Sequence, residues 1–247
     1  MKPVRPVLVV VAHGSRDPRH AATVHALVER VRAERPGLRV ETGFLDFNIP
    51  SVQGVLESLA AEGVRDVVAL PLLLTRAFHA KADIPAVLRE APSRLRIHQA
   101  EVLGPSPLLL AALERRLYEA GLTPADKSST GVVLASAGST DPEAIAVIAE
   151  IAREWRHTGW CAVRPAFASA SLPRTEDAVR ELRAAGCARV AVAPYVLAPG
   201  FLPDRIARGA ADADVLADVL GPAPEVARLL LERYDGARAP MPAAVGA

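Results

Sequence analysis

Short apolar runs alternate along this chain with longer stretches in which apolar residues recur every three or four positions, the spacing of one helix face. The runs lie at 7–12, 38–46, 66–74 and 96–102, and the helical patterns at 17–34, 51–62, 80–90 and 106–120. A β-α-β-α order with nearly continuous apolar strands predicts a parallel sheet covered by helices on both faces. Residues Gly121 to Thr130, with Pro124, Asp126 and two serines, break the pattern and read as a linker. The order then restarts. Strands are expected at 131–137, 161–169, 188–197 and 215–219, and helices at 142–156, 174–185, 202–211 and 223–234. The Ala- and Pro-rich tail from Gly236 to Ala247 is expected to be disordered.

The two halves also correspond residue by residue. Ala12-His13-Gly14-Ser15-Arg16-Asp17-Pro18 faces Ser136-Ala137-Gly138-Ser139-Thr140-Asp141-Pro142, an offset of 124 (138 minus 14). Phe44, Pro50, Gly63, Pro71 and Phe78 face Phe167, Pro173, Gly186, Pro194 and Phe201, each 123 positions on. Val102-Leu103-Gly104-Pro105 returns as Val219-Leu220-Gly221-Pro222, 117 positions on, because one loop is shorter. Any two βα units share hydrophobic spacing, but they do not share Gly, Pro and Phe positions. The chain therefore reads as a duplication. The expected fold is α/β: two tandem similar domains, 1–121 and 130–235, each a four-stranded, mainly parallel sheet flanked by helices, facing each other across a cleft.

Composition narrows the function. Hydrophobic residues are 51% and charged residues 23%, which suits a buried core and excludes a disordered chain. The net charge of +1 supplies no global field for nucleic acid or anionic membrane, and 4% aromatics leaves little for base stacking. Cys161 and Cys187 are too far apart for a CxxC motif and too few for a disulfide framework, so a reducing cytoplasm is the expected compartment. The first apolar run is too short for a signal-peptide core, and Pro71 interrupts the longest later run, well short of a membrane span.

A duplicated scaffold keeps in both copies what folding needs, so chemistry present in one copy only marks a site. His13 faces Ala137, Asp46 faces Ser169, and His79 faces Leu202. Each first-half residue falls at or just beyond the C-terminal end of an expected parallel strand, the edge where open α/β sheets bind ligands. Two imidazoles and a carboxylate there suit a divalent metal, and no cysteine nearby suggests a structural zinc site. Ser15 or Asp17 is placed to cap the following helix. The free N–H groups of that turn, with Arg16, would bind an anion, although ordinary capping explains the turn as well. Arg76 and Lys81 flank His79 as further carboxylate-binding candidates or as solvated charges. His20, His25, His98 and His157 read as surface residues.

The motifs Ala12-His13-Gly14-Ser15-Arg16, Gly43-Phe44-Leu45-Asp46, and Pro71-Leu72-Leu73-Leu74 with Phe78-His79-Ala80-Lys81-Ala82-Asp83-Ile84-Pro85 resemble those of the sirohydrochlorin chelatases. These are the ATP-independent class II chelatases, CbiX and SirB among them, here in the long two-domain form. The resemblance implies insertion of Fe2+ or Co2+ into sirohydrochlorin, on the way to sirohaem or cobalamin, with no cofactor beyond the substrate metal. The family's metal-binding histidines map onto His13 and His79, and its acidic ligand, usually glutamate, onto Asp46. That aspartate is a departure, one methylene short. Ala77-Phe78 likewise stands where a glycine usually precedes the second histidine.

The implied mechanism has His13 and His79 present the metal to the ring and take up pyrrole protons, while Asp46 holds the cation or relays a proton. Arg16, Arg76, Lys81 and Arg205 would steer the carboxylate-rich substrate. Leu72 to Leu74, Tyr195 and Phe201 would offer it apolar surface. The protein is expected to act as a monomer. Two rivals use the same three residues: a non-catalytic metal carrier, and a non-haem iron oxygenase. The oxygenase fits poorly, because such sites usually draw two ligands from one short segment, whereas His13 and Asp46 are 33 residues apart (46 minus 13).

Overall fold

A computed structural model describes residues 5–75 and 83–238. The first half orders as β1 (Val7–Ala12), α1 (Pro18–Glu34), β2 (Val40–Phe44), α2 (Val52–Ala61), β3 (Asp66–Pro71), α3 (Ile84–Arg89), β4 (Arg96–Gln99) and α4 (Pro107–Glu119). The second half repeats it as β5 (Thr130–Ser136), α5 (Pro142–Arg156), β6 (Ala162–Phe167), α6 (Thr175–Ala184), β7 (Arg189–Tyr195), α7 (Phe201–Gly209), β8 (Val215–Leu216) and α8 (Pro224–Arg238). The strands form two all-parallel sheets, β2-β1-β3-β4 and β6-β5-β7-β8. Each has the first strand of its half near the centre.

The side-chain period of two sets the layers. Every residue of β1 is buried, but Leu8, Val10 and Ala12 face one apolar cluster while Val7, Val9 and Val11 face another. In β5, Val132 and Leu134 join the same cluster as Leu8 and Val10, whereas Val133 and Ala135 pack on the far face with α6 residues Ala178, Val179 and Leu182. One apolar core therefore runs through both halves. The helices begin where the sequence signals them. Pro18, Pro107 and Pro142 occupy first-turn positions, where no backbone N–H is needed, and Asp17, Ser106 and Asp141 cap the amides that follow.

The duplication is visible in backbone detail. Gly14 and Gly138 both have φ of +94°, Phe47 and Ala170 have 60° and 59°, and the bonds Ile49–Pro50 and Leu172–Pro173 are both cis. Phe44 N donates to Pro50 O at 3.0 Å, and Phe167 N to Pro173 O at 2.9 Å.

The final helices are exchanged. Helix α8 packs against α1 and against β3 and β4 of the first sheet, while α4 reaches β7 of the second. The expected division at 1–121 and 130–235 thus follows the chain but not the packing. Tyr234 of α8 is fully buried, and its hydroxyl donates to the Pro6 carbonyl at 2.7 Å. Arg233 donates to the Val102 and Leu103 carbonyls at 2.8 and 2.9 Å, and Arg116 of α4 donates to Leu220 O at 3.0 Å. The expected linker is also structured. A 3-10 turn at Pro124–Ser129 is tied down by Asp126, which accepts from Thr123 N at 2.8 Å and pairs with Arg189 at 3.1 Å.

Two expectations need correction at segment ends. Gly236, Ala237 and Arg238, expected in the disordered tail, continue α8, with the Arg238 guanidinium 5.3 Å from the Tyr234 ring centre, and the rest of that stretch lies outside the described residues. Strand patterns overran by two or three residues at several ends. Leu72 to Leu74, for example, leave the sheet at Pro71 and turn into the space between the halves. The first residues of the expected 80–90 helix lie outside the described part.

If α8 is part of the first half's core, removing its anchor should loosen that half. Tyr234→Ala is expected to cost ~3–5 kcal/mol in urea denaturation, the range for emptying a large aromatic site. Tyr234→Phe, which loses only the hydrogen bond to Pro6, should cost about 1 kcal/mol. Hydrogen exchange in Tyr234→Ala should rise in α1 and β3 before α6. Uniform loosening of both halves would contradict the exchange.

Candidate metal centre and substrate cleft

From β1 the chain crosses to β2 on one side and then to β3 on the other. Such a reversal opens a crevice at the C-terminal strand ends. His13 directly follows β1, and Asp46 comes two residues after β2. What brings them together is Gly14. Its positive φ suits glycine, and a Cβ there would lie 1.9 Å from the Asp46 carbonyl oxygen, so no other residue fits without backbone movement. The two turns therefore touch backbone to backbone, and Asp46 N donates to His13 O at 2.9 Å. Both side chains are exposed at this edge. Phe47, held at φ 60°, donates its N–H to Asp46 Oδ1 at 2.8 Å and sets its ring edge-on to His13, with 6.4 Å between centroids.

The second half builds the same turns without the histidine and the aspartate. A Cβ on Gly138 would lie 1.9 Å from Ser169 O, and Ser169 N donates to Ala137 O at 3.0 Å. The Ser169 hydroxyl is spent on that same Ala137 carbonyl at 2.9 Å. Ala137 and Leu202 instead line the cleft between the halves. This cavity, of about 350 Å³, is mainly apolar. Leu72, Leu73 and Leu74 form one wall, and Phe167, Tyr195 and Leu197 belong to the other. A neighbouring cavity of about 190 Å³ reaches His13 and His20 and shares Leu72, Ala137 and Leu202 with the first.

Asp17 is the helix cap, accepting from Arg19 N at 2.9 Å; Ser15 Oγ accepts from Asp17 N at 3.1 Å, and Ser15 N donates to Asn48 Oδ1 at 2.8 Å. Those three amides bond within the protein, as ordinary capping has them, and the Arg16 side chain points free of the cap. Arg16 is exposed, its guanidinium carbon 5.3 Å from the centre of the Phe47 ring. Tyr195 lines the cleft but is only 2% exposed; its hydroxyl reaches Leu74 O at 3.5 Å, and burial pushes its pKa up. Phe201 opens α7 with 70% of its surface exposed, and Arg205 is exposed on the same helix. Next to it, Asp204 pairs with Arg19 at 2.7 Å, joining α1 to α7 across the cleft mouth. Arg76, His79 and Lys81 lie outside the described residues.

His20 is the residue that the sequence reading misplaced. Rather than a surface group, it lies behind His13 on α1, half-buried, with a buried Nδ1 that has no hydrogen-bond partner. Desolvation, then the neighbouring His13, lowers its pKa. An aspartate-capped first turn places position 20 one helical turn past the cap, facing back toward the strand end; the spacing from Asp17 was the available signal. His25, His98 and His157 are exposed, as expected. Among the described residues, no group of three or more His, Cys, Asp or Glu side chains is gathered to hold a metal.

Comparison with known proteins agrees with this architecture. The CbiX family model matches residues 7–120 and again 131–237, and the chain belongs to that family. A sirohydrochlorin cobaltochelatase of Priestia megaterium is 30% identical over 207 residues, 81% of this chain and 66% of that protein. A sirohydrochlorin ferrochelatase of Bacillus subtilis is 27% identical over 83% of this chain and 79% of its own length. Among solved structures, SirB from Bacillus subtilis with Fe3+ superposes with a TM-score of 0.81 at 25% identity, covering 96% of both chains. The paired four-stranded parallel sheets are thus a chelatase fold.

The lowered His20 pKa has a sign that can be checked. Unfolded, His20 titrates near 6.5; folded, it titrates lower. Between those values the unfolded chain binds the extra proton, so this contribution to stability is complete above 6.5 and falls as pH drops through the window. Denaturation midpoints of the parent should therefore fall more steeply from pH ~7 to pH ~5 than those of His20→Asn. Parallel curves for the two proteins would show that His20 titrates as it does in water.

Proposed function

We propose that this protein inserts a divalent metal ion, Fe2+ or Co2+, into sirohydrochlorin without ATP, acting as a single chain in the cytoplasm. The observation that carries the reading is the asymmetric strand edge beside a two-walled apolar cleft: His13 and Asp46 meet there in the first half, where the second half has Ala137 and Ser169. The metal is a substrate here and leaves in the product. The assignment of His79 as the second imidazole ligand rests on its place in the His-x-x-x-Asp-Ile-Pro segment, eight residues after β3 ends (79 minus 71).

The chemistry asked of these residues is specific. A hydrated cation must shed water while the macrocycle loses two inner protons. His13 and His79 hold the cation through neutral nitrogens and accept protons as the metal passes to the ring. Asp46 supplies negative charge beside them. His20, kept neutral by burial, avoids placing a second positive charge behind the incoming cation. The leucines after β3 and the opposite wall take the apolar ring face, and Arg16, Arg76, Lys81 and Arg205 meet peripheral carboxylates. Among the described residues, no helix is long and apolar enough to cross a membrane.

Anaerobic absorbance changes of sirohydrochlorin on adding Fe2+ or Co2+, corrected for the spontaneous rate, test this. His13→Ala and His79→Ala should each slow metallation by ~10²–10⁴-fold. Asp46→Ala should cost less, since water fills the vacant coordination position, and Asp46→Glu should keep or raise activity. A double variant His13→Ala/His79→Ala as fast as the parent would place the chemistry elsewhere. Metal binding in simple ratio with an unchanged macrocycle spectrum would make the protein a carrier instead.

A further inference from the structure

The halves differ chemically at one more place, at the opposite edge of the second sheet. Cys161 directly precedes β6, and Cys187 lies two residues before β7. Both strands pair with β5, one on each side, so the chain segments leading into them are separated by the central strand. Yet the two Sγ atoms are 3.9 Å apart. Gly131 on β5 makes room for the inner thiol: a Cβ there would lie 2.7 Å from Cys187 Sγ and 3.0 Å from Leu182 Cδ2. A glycine inside a central strand costs ~0.5–1 kcal/mol relative to alanine, so its presence calls for a steric reason. At the corresponding positions of the first half stand Val7 (131 minus 124) and Val64 (187 minus 123), which pack in one apolar cluster, and Leu38 (161 minus 123), which packs in another. The first half thus fills the space beside its central strand with hydrocarbon, and the second clears it for the Cys187 thiol.

The backbone under both thiols is fixed. Cys161 N donates to Lys127 O at 2.9 Å, and Cys187 N donates to Leu182 O at 3.2 Å. Their accessibility differs: Cys161 is exposed and Cys187 is 8% exposed. That is an arrangement of an outer, attacking thiol and an inner, resolving one. Burial pushes the Cys187 thiol up, which leaves Cys161 to react first.

We propose that Cys161 and Cys187 are a modification site that closes to a reversible intramolecular disulfide on reaction with a small-molecule disulfide of the oxidised-glutathione class. The Cys161 thiolate attacks one sulfur of the oxidant, forming a mixed disulfide and releasing one thiolate. The Cys187 thiol then gives up its proton and attacks Cys161 Sγ, expelling the second thiolate. Two protein thiols are oxidised to one disulfide, and one oxidant disulfide is reduced to two thiols. Closing from 3.9 Å to the ~2.05 Å of a disulfide needs under ~2 Å of movement, into space that Gly131 leaves open. The pair sits at the strand starts and the cleft at the strand ends, so this site is independent of the metallation reading.

The full-length protein, incubated with oxidised glutathione, should lose both titratable thiols and the mass of two hydrogens, with Cys161 and Cys187 recovered in one crosslinked peptide. Dithiothreitol should reverse this. Cys187→Ser should instead accumulate a lasting glutathione adduct on Cys161, and Cys161→Ser should react at least ~10-fold more slowly. Bridging residues 26 apart should raise the melting temperature of the oxidised parent by ~5–10 °C, with no such gain in either serine variant. A parent that retains both thiols, or that carries an adduct as persistent as that of Cys187→Ser, would overturn the proposal. Those readouts on the parent stand even if a variant folds poorly.

Discussion

The site depends on an absence. Because Gly14 has no Cβ, the Asp46 carbonyl can occupy the space a side chain would take, and the turn after β1 lies flat on the turn after β2. That approach makes His13 and Asp46 neighbours although they come from different strands, and it fixes their backbones by a hydrogen bond rather than by side-chain packing. Both side chains can then stay exposed. The same approach recurs at Gly138 and Ser169, where no ligand is present. The geometry is therefore inherited from the duplicated scaffold, and the chemistry was added to, or kept in, one copy.

The second copy has become a wall. Its Ala137 and Leu202 carry no donor, and its Ser169 hydroxyl is turned onto its own backbone, so it presents apolar surface opposite the first half's leucines. On the proposed function, a flat macrocycle would meet a polar edge in one half and an apolar face in the other, so that neither sheet need be distorted to supply both. The ion pair between Arg19 and Asp204 is largely exposed and screened, so it orients the cleft mouth more than it stabilises it.

Much of this was legible in the chain. Runs such as Val7 to Ala12 can only be strands buried on both faces, and Gly14 and Gly138 signalled the turns because their neighbours repeat at one offset. The exchange of α4 and α8 was not legible. An amphipathic pattern shows that a helix buries one stripe, and nothing in Leu109, Leu113 and Leu117 says which of two similar sheets that stripe covers. Tail composition misled for a related reason: Tyr234, deep in the core, orders the helix past Gly236 despite the alanines and prolines that follow. His20 was misread because a lone polar residue near a helix start looks solvated until the strand end beside it is in place. The stretch holding Arg76, His79 and Lys81 was assigned by motif, and those side chains rest on that assignment.

The exchanged helices also bear on how the molecule is made. A ribosome delivers the first sheet early, but one of the helices that covers it, α8, follows every strand of both sheets. Until then the surface formed by Leu8, Val10 and α1 has only part of its cover, and α4 itself must wait for β7 before it has the second sheet to pack on. Neither half can finish alone during vectorial synthesis, although each contains every strand of its own sheet. The edge bearing His13 and Asp46 and its facing wall thus reach final form only once α8 is in place.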